Sequence, residues 1–362
     1  MSATTTAGPR ADEESHAAQR SGRQLLTLLG PFIGLVLVIL LFASLIHPPW
    51  TFLSADNFKG VATQTVITGL GALGMTLIII SGGIDLSVGS VLAVTSVVVA
   101  LLLNKHVPPA AAVLAAVLVG GLTGAVNGAL ITGLRVTPFI VTLGTLGIAR
   151  GVASWLASEQ AVNAPESWIN RLVAIYPPPV WVHVFGFHFN VHSPWVKVSS
   201  FPVNVNPLSP AVWITLALAV FTAVLLRATV LGRYIVAIGS NETTSRLSGL
   251  RVDALKIGIY ALAGLFFGLG GALQFGRLGQ GDPTVDVGAE LDVIAAVVIG
   301  GGSLSGGEGS VLGTILGALI MAFLRNGSQQ MGWPSYVQQI IIGIVIIVAV
   351  ALDRLRHRSP GK

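Results

Sequence analysis

The stretch Ser81-Gly82-Gly83-Ile84-Asp85-Leu86-Ser87-Val88-Gly89-Ser90 lies between two long apolar runs and places a carboxylate, serine hydroxyls and three glycines at membrane depth. Lipid neither solvates a carboxylate nor forms hydrogen bonds with free backbone groups. Such a segment therefore persists only where protein or a water-filled cavity surrounds it. The stretch indicates a break between two membrane spans that belongs to a transport path, because a simple membrane anchor needs no such break.

The composition is that of a polytopic membrane protein. Apolar residues make up 53% of the 362 residues and charged residues only 10%, and the mean hydropathy is +0.81. Both percentages are far from those of a soluble domain. The chain has no cysteine, which excludes disulfides and thiol chemistry. The net charge of +5 does not indicate nucleic acid as a partner, because Lys and Arg here mark the loops that stay in the cytoplasm.

Apolar segments that can cross a ~30 Å hydrocarbon core recur along the chain and predict an all-α protein with about ten transmembrane helices. They form one membrane domain, residues 25–352, between a disordered cytoplasmic tail, 1–24, and a basic cytoplasmic tail, 353–362. Both termini are placed inside by the distribution of Lys and Arg. The segment 291–302 is too short for a regular span, so nine or eleven crossings fit as well. The predicted spans are 25–46, 61–80, 86–103, 110–132, 138–157, 210–227, 255–275, 291–302, 309–325 and 335–352.

Residues 159–208 interrupt the apolar pattern and predict a structured external loop. Tryptophans suit the membrane interface, and the alternating run 183–189 predicts a short hairpin. Its histidines, His183, His188 and His192, match no usual metal-ligand spacing, so we predict no metal site.

A weak internal repeat becomes visible when the chain is shifted by 220 residues, because Ile79, Gly82 and Gly89 then align with Ile299, Gly302 and Gly309. Each copy joins an apolar span to a glycine-rich break. Two interpretations remain open. One is a parallel repeat whose broken spans flank a transport path, and the other is a pair of similar helix–turn–helix joints.

Asp85 stands where the helix after the break would begin. Its carboxylate can accept the free N–H groups of Ser87 or Val88, which is a capping role, and it can also line or gate a pathway. The two roles are compatible.

The glycine-rich run 300–310 has two glycines at the spacing of a phosphate loop, Gly302 and Gly307. The next residue is Glu308, whereas a phosphate loop needs a lysine there. We therefore predict that this chain binds no nucleotide and is not an enzyme.

The longest interior loop, 228–254, contains a short amphipathic helix. Asn241 can cap it, Glu242 and Arg246 stand at i and i+4, and Gly249 can end it. Such a helix is suited to docking in a cleft of another protein, and it can equally be an ordinary surface helix between two spans.

Four separated segments, 81–90, 137–146, 232–249 and 290–301, resemble the ribose, xylose and arabinose permeases of ABC importers. The resemblance is collinear over nearly the whole chain and excludes the termini and residues 159–208. It implies a multi-pass permease with glycine-rich broken spans in the bacterial inner membrane, which imports a pentose, a hexose or a related polyol.

The resemblance also implies partners: a cytoplasmic ATPase that uses ATP and Mg²⁺, an extracytoplasmic sugar-binding protein, a second permease copy and membrane lipid. This chain itself would bind no cofactor and no metal. The residues implied in coupling to the ATPase are Gly239, Asn241, Glu242, Arg246, Leu247, Ser248 and Gly249. The residues implied in the pathway or its gating are Gly82, Gly83, Asp85, Ser87, Thr142, Glu290 and Asp292.

Two other functions remain open. A permease of the same superfamily could carry branched-chain amino acids, nucleosides or another small polar metabolite. A carrier driven by an ion gradient could work alone, with Asp85 and Arg150 as a charge-bearing pair. Transport without any ATPase would distinguish the carrier.

Overall fold

The computed structural model describes residues 29–175, 181–184, 187–190, 196–198, 201–203 and 208–357. The described residues form helices α1 to α14: Leu29–Leu45, Pro49–Phe52, Ala55–Ile80, Val88–Asn104, Pro109–Leu134, Pro138–Leu156, Trp168–Leu172, Pro210–Ala228, Val230–Ser240, Glu242–Leu247, Val252–Leu278, Ala289–Ile299, Val311–Gln330 and Ser335–His357. Strands β1 to β6 are Val162–Asn163, Trp181–Val184, Phe187–Asn190, Val196–Val198, Phe201–Val203 and Gln280–Gly281.

Each predicted span coincides with a helix, and the described part of the chain is a mostly helical, multi-pass protein. Only six of these helices are long and apolar enough to cross a membrane, namely α3, α5, α6, α8, α11 and α13. The expected count of about ten is therefore not confirmed. Helices α1 and α4 are apolar but shorter, and α12 has 11 residues. At about 16 Å it covers roughly half of the hydrocarbon core.

Helix α14 ends at His357, within the residues 353–362 that are predicted to form a basic cytoplasmic tail. The cytoplasmic location of these residues stays a prediction. The predicted N-terminal tail, 1–24, and residues 358–362 lie outside the described residues.

Two short ribbons lie within the insert 159–208. The predicted hairpin is confirmed, because β2 and β3 pair antiparallel with His183 opposite His188, and β4 pairs with β5 in the same way. Strand β1 pairs with β6 and so ties the start of the insert to the chain after α11.

The two broken spans end in the same backbone motif. After α3, the N–H groups of Gly82 and Gly83 donate to the carbonyls of Ile79 and Ile78, both at 2.9 Å, and Gly82 has φ +81°. This arrangement is a Schellman turn, which needs a left-handed residue and therefore favours glycine. It satisfies the last carbonyls of a helix that ends inside the protein.

Helix α12 ends in the second Schellman turn. Gly301, with φ +90°, and Gly302 donate to Val298 and Val297 at 2.9 and 2.8 Å. Gly82 is thus equivalent to Gly301 rather than to Gly302, and the repeat has a shift of 219 at this point instead of 220.

Helices α5 and α11 pack backbone to backbone. Gly120 and Gly124 of α5 face Gly264 and Gly268 of α11, where a Cβ on Gly120 would lie 2.6 Å from the nitrogen of Gly268. Small residues at four-residue spacing let membrane helices approach closely, since lipid provides no hydrophobic force that would drive them together. This packing fixes the centre of the described helices.

We expect Gly124→Ala to destabilise the protein by about 1–3 kcal/mol, because the added methyl would overlap the carbonyl of Tyr260 and push the two helices apart. The matched control is Gly133→Ala on the same helix, where nothing lies within 4 Å. The Gly133→Ala variant should be as stable as the natural chain or more stable by up to about 1 kcal/mol, because Ala favours a helix more than Gly does. Thermal unfolding in detergent measures both variants, and equal stability of the two would contradict this packing.

Candidate functional site

The segment between α8 and α11 contains two helices rather than the single one predicted. Helix α10 begins and ends as expected: the Asn241 side chain accepts from the N–H of Thr244 at 2.9 Å, and Gly249, with φ +83°, closes the turn after it. Helix α9 was missed. Thr229 caps it by accepting from Gly232 at 3.1 Å.

Charged side chains hold α10 against α11. The expected pair is confirmed, since Arg246 Nη2 donates to Glu242 Oε1 at 2.8 Å. Arg246 also pairs with Asp253 at 2.6 Å, and Lys256 pairs with Glu242 at 2.6 Å. Partial burial opposes ionisation of Glu242, but the hydrogen bonds from Lys256 and Arg246 outweigh it, so the pKa of Glu242 lies below its ordinary value. Single exposed pairs contribute little to stability, but a connected network fixes the orientation of the helix.

The outer face of α10 is open. Leu247 is 84% exposed, although it is the large apolar residue of a polar helix. Ser248 turns its hydroxyl back to the carbonyl of Thr244 at 2.9 Å. Leu247 therefore projects as an apolar tip from a helix whose ends and orientation are fixed.

The end of α9 meets both broken spans at a cluster of glycines, the glycine junction, which consists of Gly82, Gly239, Gly306 and Gly307. The N–H of Gly307 donates to the carbonyl of Ile80 at 2.8 Å. A Cβ on Gly239 would overlap that carbonyl oxygen and lie 2.6 Å from the nitrogen of Gly307, and a Cβ on Gly306 would lie 2.9 Å from Gly82 Cα. The α9–α10 segment is thus in direct backbone contact with the first Schellman turn and with the loop that follows the second one.

Asp85 lies in an enclosed polar cluster. Its Oδ1 accepts from the N–H and the hydroxyl of Ser87 at 2.7 and 2.6 Å, and Asn127 of α5 donates to Asp85 Oδ2 at 3.2 Å. All three residues are at most 1% exposed. The expected hydrogen bond from the N–H of Ser87 is present, but Ser87 is itself the N-cap of α4, which has no side-chain cap hydrogen bond, so the capping role of Asp85 is not confirmed. Both carboxylate oxygens have partners within the chain. A role of Asp85 or Ser87 in lining the pathway stays a prediction.

Residues from other helices fix the remainder of the break after α3. The hydroxyl of Tyr260 lies 3.4 Å from the carbonyl of Ile84 and packs against Gly83, which leaves no room for a Cβ there. The hydroxyl of Thr142 donates to Pro138 at 2.9 Å and reaches the same carbonyl of Ile84 at 3.4 Å. Thr142 thus joins α6 to the break. Tyr260 and Asn127 were missed because nothing in their local sequence indicates these distant contacts.

The acidic pair at the start of α12 is divided between two neighbours. Asp292 forms an ion pair with Arg325 of α13. The carboxylate of Glu290 lies beside Gly89, where a Cβ would come within 2.7 Å of Oε2. Glu290 thus lies beside the first turn of α4, whereas Asp292 faces α13. A role of either residue in the pathway stays a prediction.

Arg150 is bound by backbone carbonyls. Its Nη1 donates to Pro283 and Val285, both at 2.7 Å. Asp85 and Arg150 have different partners, so they do not form the charge pair on which the carrier hypothesis depends.

Among the residues whose side chains are described, no group of three His, Asp or Glu side chains could hold a metal ion. The side chains of the three histidines of the insert are outside that part of the chain.

We expect Asp85→Asn to destabilise the protein by about 1–3 kcal/mol, because the new amide faces the donor of Asn127 in a buried site. The exchange Asp85→Asn with Asn127→Asp restores a donor opposite an acceptor and should recover most of the loss. Thermal unfolding of the purified variants measures both effects. If the exchange variant is no more stable than the single one, this pairing is wrong.

The fold and the glycine-rich breaks define a membrane permease, and comparison with known proteins agrees. Residues 57–350 match the family described as "Branched-chain amino acid transport system / permease component", and the chain belongs to this family. It is similar to the ribose import permease protein RbsC of Escherichia coli K12, with 38% identity over 89% of this chain and 92% of the relative. RbsC of Bacillus subtilis is 39% identical over 90% of this chain and 92% of the relative. The D-allose transport system permease protein AlsC of Escherichia coli K12 is 33% identical over 90% of this chain and 91% of the relative. No solved structure matches the chain significantly.

Proposed function

We propose that this chain is the membrane-spanning permease subunit of an ATP-driven ABC importer that carries a monosaccharide across the bacterial inner membrane. The observation that carries the proposal is similarity over nearly the whole chain to permeases that are named for ribose and allose. The match starts at residue 57 and includes both broken spans and the α9–α10 segment. The resemblance found in the sequence points to the same class.

The ATPase binds, on this proposal, to α10. Its caps and its ion pairs support this assignment, because they present a helix of fixed orientation with Leu247 at the tip. Such a tip can insert into a cleft of a partner, where burial of its apolar side chain would stabilise the contact. ATP and Mg²⁺ are used by that partner.

The loop 300–310 supports the absence of a nucleotide site in this chain. A phosphate loop presents free N–H groups to its ligand. Here the N–H groups of Gly302, Gly306 and Gly307 donate to carbonyls of the chain at 2.8 to 3.0 Å. ATP hydrolysis is therefore assigned to the partner.

The coupling step follows from the glycine junction. Because no side chain separates α9 from the first Schellman turn and from the loop after the second one, a displacement of α10 is transmitted to both without an intervening flexible group. We propose that the α9–α10 segment and the two turns move as one body. The ATP-bound state would favour one orientation of this body by its differential contacts with α10.

The proposed topology has about ten spans with both termini in the cytoplasm. In addition to the six long helices it includes α1, α4, the half-span α12 and α14. The antiparallel packing of α5 on α11 agrees with this topology, in which α5 runs toward the cytoplasm and α11 runs away from it. A second copy of the chain, a sugar-binding protein on the outer side and lipid complete the assembly.

A permease for branched-chain amino acids is the second candidate, because that substrate appears in the description of the family. The relatives named for sugars favour the first candidate.

The test is reconstitution in proteoliposomes with the ATPase and the binding protein, followed by uptake of labelled D-ribose, D-allose, D-fructose, D-galactose and L-leucine. The expected result is uptake of a sugar that needs all three components and ATP. Uptake of leucine alone would favour the second candidate. Uptake by this chain alone under an ion gradient would contradict the importer.

We expect Leu247→Asp to weaken binding of the ATPase by about tenfold or more, because it puts a charge into an apolar contact. The residue is exposed, so the fold should not change. Leu247→Met, which keeps the apolar tip, is the control and should bind normally. Co-purification and titration of the ATPase measure this, and unchanged binding of the Asp variant would exclude α10 as the docking site.

A further inference from the structure

A small polar cavity lies between α3, α11, α12 and α13, on the side opposite the glycine junction. Its polar lining consists of Gln64, Thr68, Arg277, Asp286, Asp292 and Arg325, and its volume is about 40 Å³. This is room for a few water-sized groups, so one edge of a larger polar molecule can enter but not a whole sugar ring.

The cavity lies at the level of the spans. Gln64 and Thr68 are within the long helix α3, and Asp292 is in the first turn of α12. Arg325 is nevertheless 47% exposed, and Arg277 is also exposed. Lipid does not solvate an exposed guanidinium, so charged side chains in spans face a bundle interior or a water-filled path. The mouth of the cavity therefore opens toward water or toward a second copy rather than toward lipid.

The charges of the cavity are balanced. Arg325 is paired with Asp292, and Arg277 lies close enough to Asp286 for its charge to act on that carboxylate. Two cations and two anions line the cavity, which gives no net charge that would select an ion. Both donors and acceptors are present, as a neutral polyhydroxyl compound requires.

One acceptor of the cavity lacks a donor. Gln274 donates to Asp286 Oδ1 at 3.3 Å, while the buried Oδ2 of Asp286 has no hydrogen-bond partner among the described residues. The Oε1 of Gln274 is also buried without one. A buried carboxylate oxygen left unpaired costs free energy, which a hydroxyl group of a ligand would recover.

We propose that this outer cavity binds a hydroxyl-bearing edge of the imported sugar as it enters the permease. Asp286 Oδ2 accepts from a sugar hydroxyl, and the guanidinium groups of Arg277 and Arg325 donate to neighbouring oxygens. The proposal rests on the proposed sugar import and makes Asp286 a determinant of which sugars pass. The remainder of the ring lies outside the cavity, in the path shared with the second copy.

The test compares uptake of each sugar with uptake of its deoxy analogue in the reconstituted importer. The probes are D-ribose with 2-deoxy-D-ribose and D-galactose with 2-deoxy-D-galactose and 6-deoxy-D-galactose, each at saturation of the binding protein. Asp286→Asn turns the unpaired acceptor into a donor. For at least one hydroxyl, the ratio of uptake of the sugar to uptake of its deoxy analogue should fall by about tenfold relative to the natural chain. The ratio cancels the contribution of the binding protein, because that protein is the same in both assays.

Asp282→Asn is the matched control, since Asp282 is in the same loop and its carboxylate accepts from the N–H and the hydroxyl of Thr284 at 2.8 and 2.7 Å. Its preferences should match those of the natural chain. If Asp286→Asn lowers uptake of all probes equally, the carboxylate is structural and the inference is wrong, although the importer stands. If it does not reach the membrane, Gln64→Leu, which removes an amide from the same wall, must shift the preference instead. If the natural chain takes up no sugar, the proposed function itself fails.

Discussion

The structure depends on the constraint that a helix ending inside the protein must have its terminal backbone groups bonded within the chain. Helices α3 and α12 both end there, and both meet the constraint with a Schellman turn at a left-handed glycine, Gly82 and Gly301. The helix after the first turn starts beside a buried carboxylate, Asp85, whose oxygens accept from Ser87 and Asn127. The breaks are therefore rigid features, with their polar groups paired by residues from other helices.

The same glycines give the breaks a second property. Because these glycines have no side chains, the backbone at the end of α9 directly contacts the first turn and the loop after the second turn, and α9 leads into the capped helix α10. The end of the protein away from the glycine junction is built differently, with arginine and carboxylate side chains around Asp286 and Asp292. One end of the protein thus has backbone contacts between its segments, and the other end has polar side chains. This difference is expected of a permease in which a partner acts on one end and the substrate enters at the other.

The sequence predicted the local features well, because they depend on residues near one another. The positions of the helices, the cap at Asn241, the pair of Glu242 with Arg246 and the hydrogen bond from Ser87 to Asp85 were all visible as short-range patterns. Helix α9 was not predicted although Leu231, Ile235 and Ile238 have helical spacing, because polar residues dominate the rest of the loop that contains it. The partners of Asp85 and Arg150 depend on packing between distant helices, which no local pattern encodes. The repeat was misaligned by one residue because its glycines are adjacent and the two loops differ in length.

The central claim is that the α9–α10 segment and the two Schellman turns form one body. The chain has no cysteine, so spin labels can be attached at introduced cysteines alone. We would place them at the exposed residues Thr243 of α10, Ser305 of the loop after α12 and Lys105 at the end of α4. Labelled copies would be diluted with unlabelled ones in the assembled importer, and distances would be measured by electron spin resonance with and without ATP. The account predicts that the Thr243–Ser305 distance stays constant while the Thr243–Lys105 distance changes. A Thr243–Ser305 distance that changes as much as the other would contradict it.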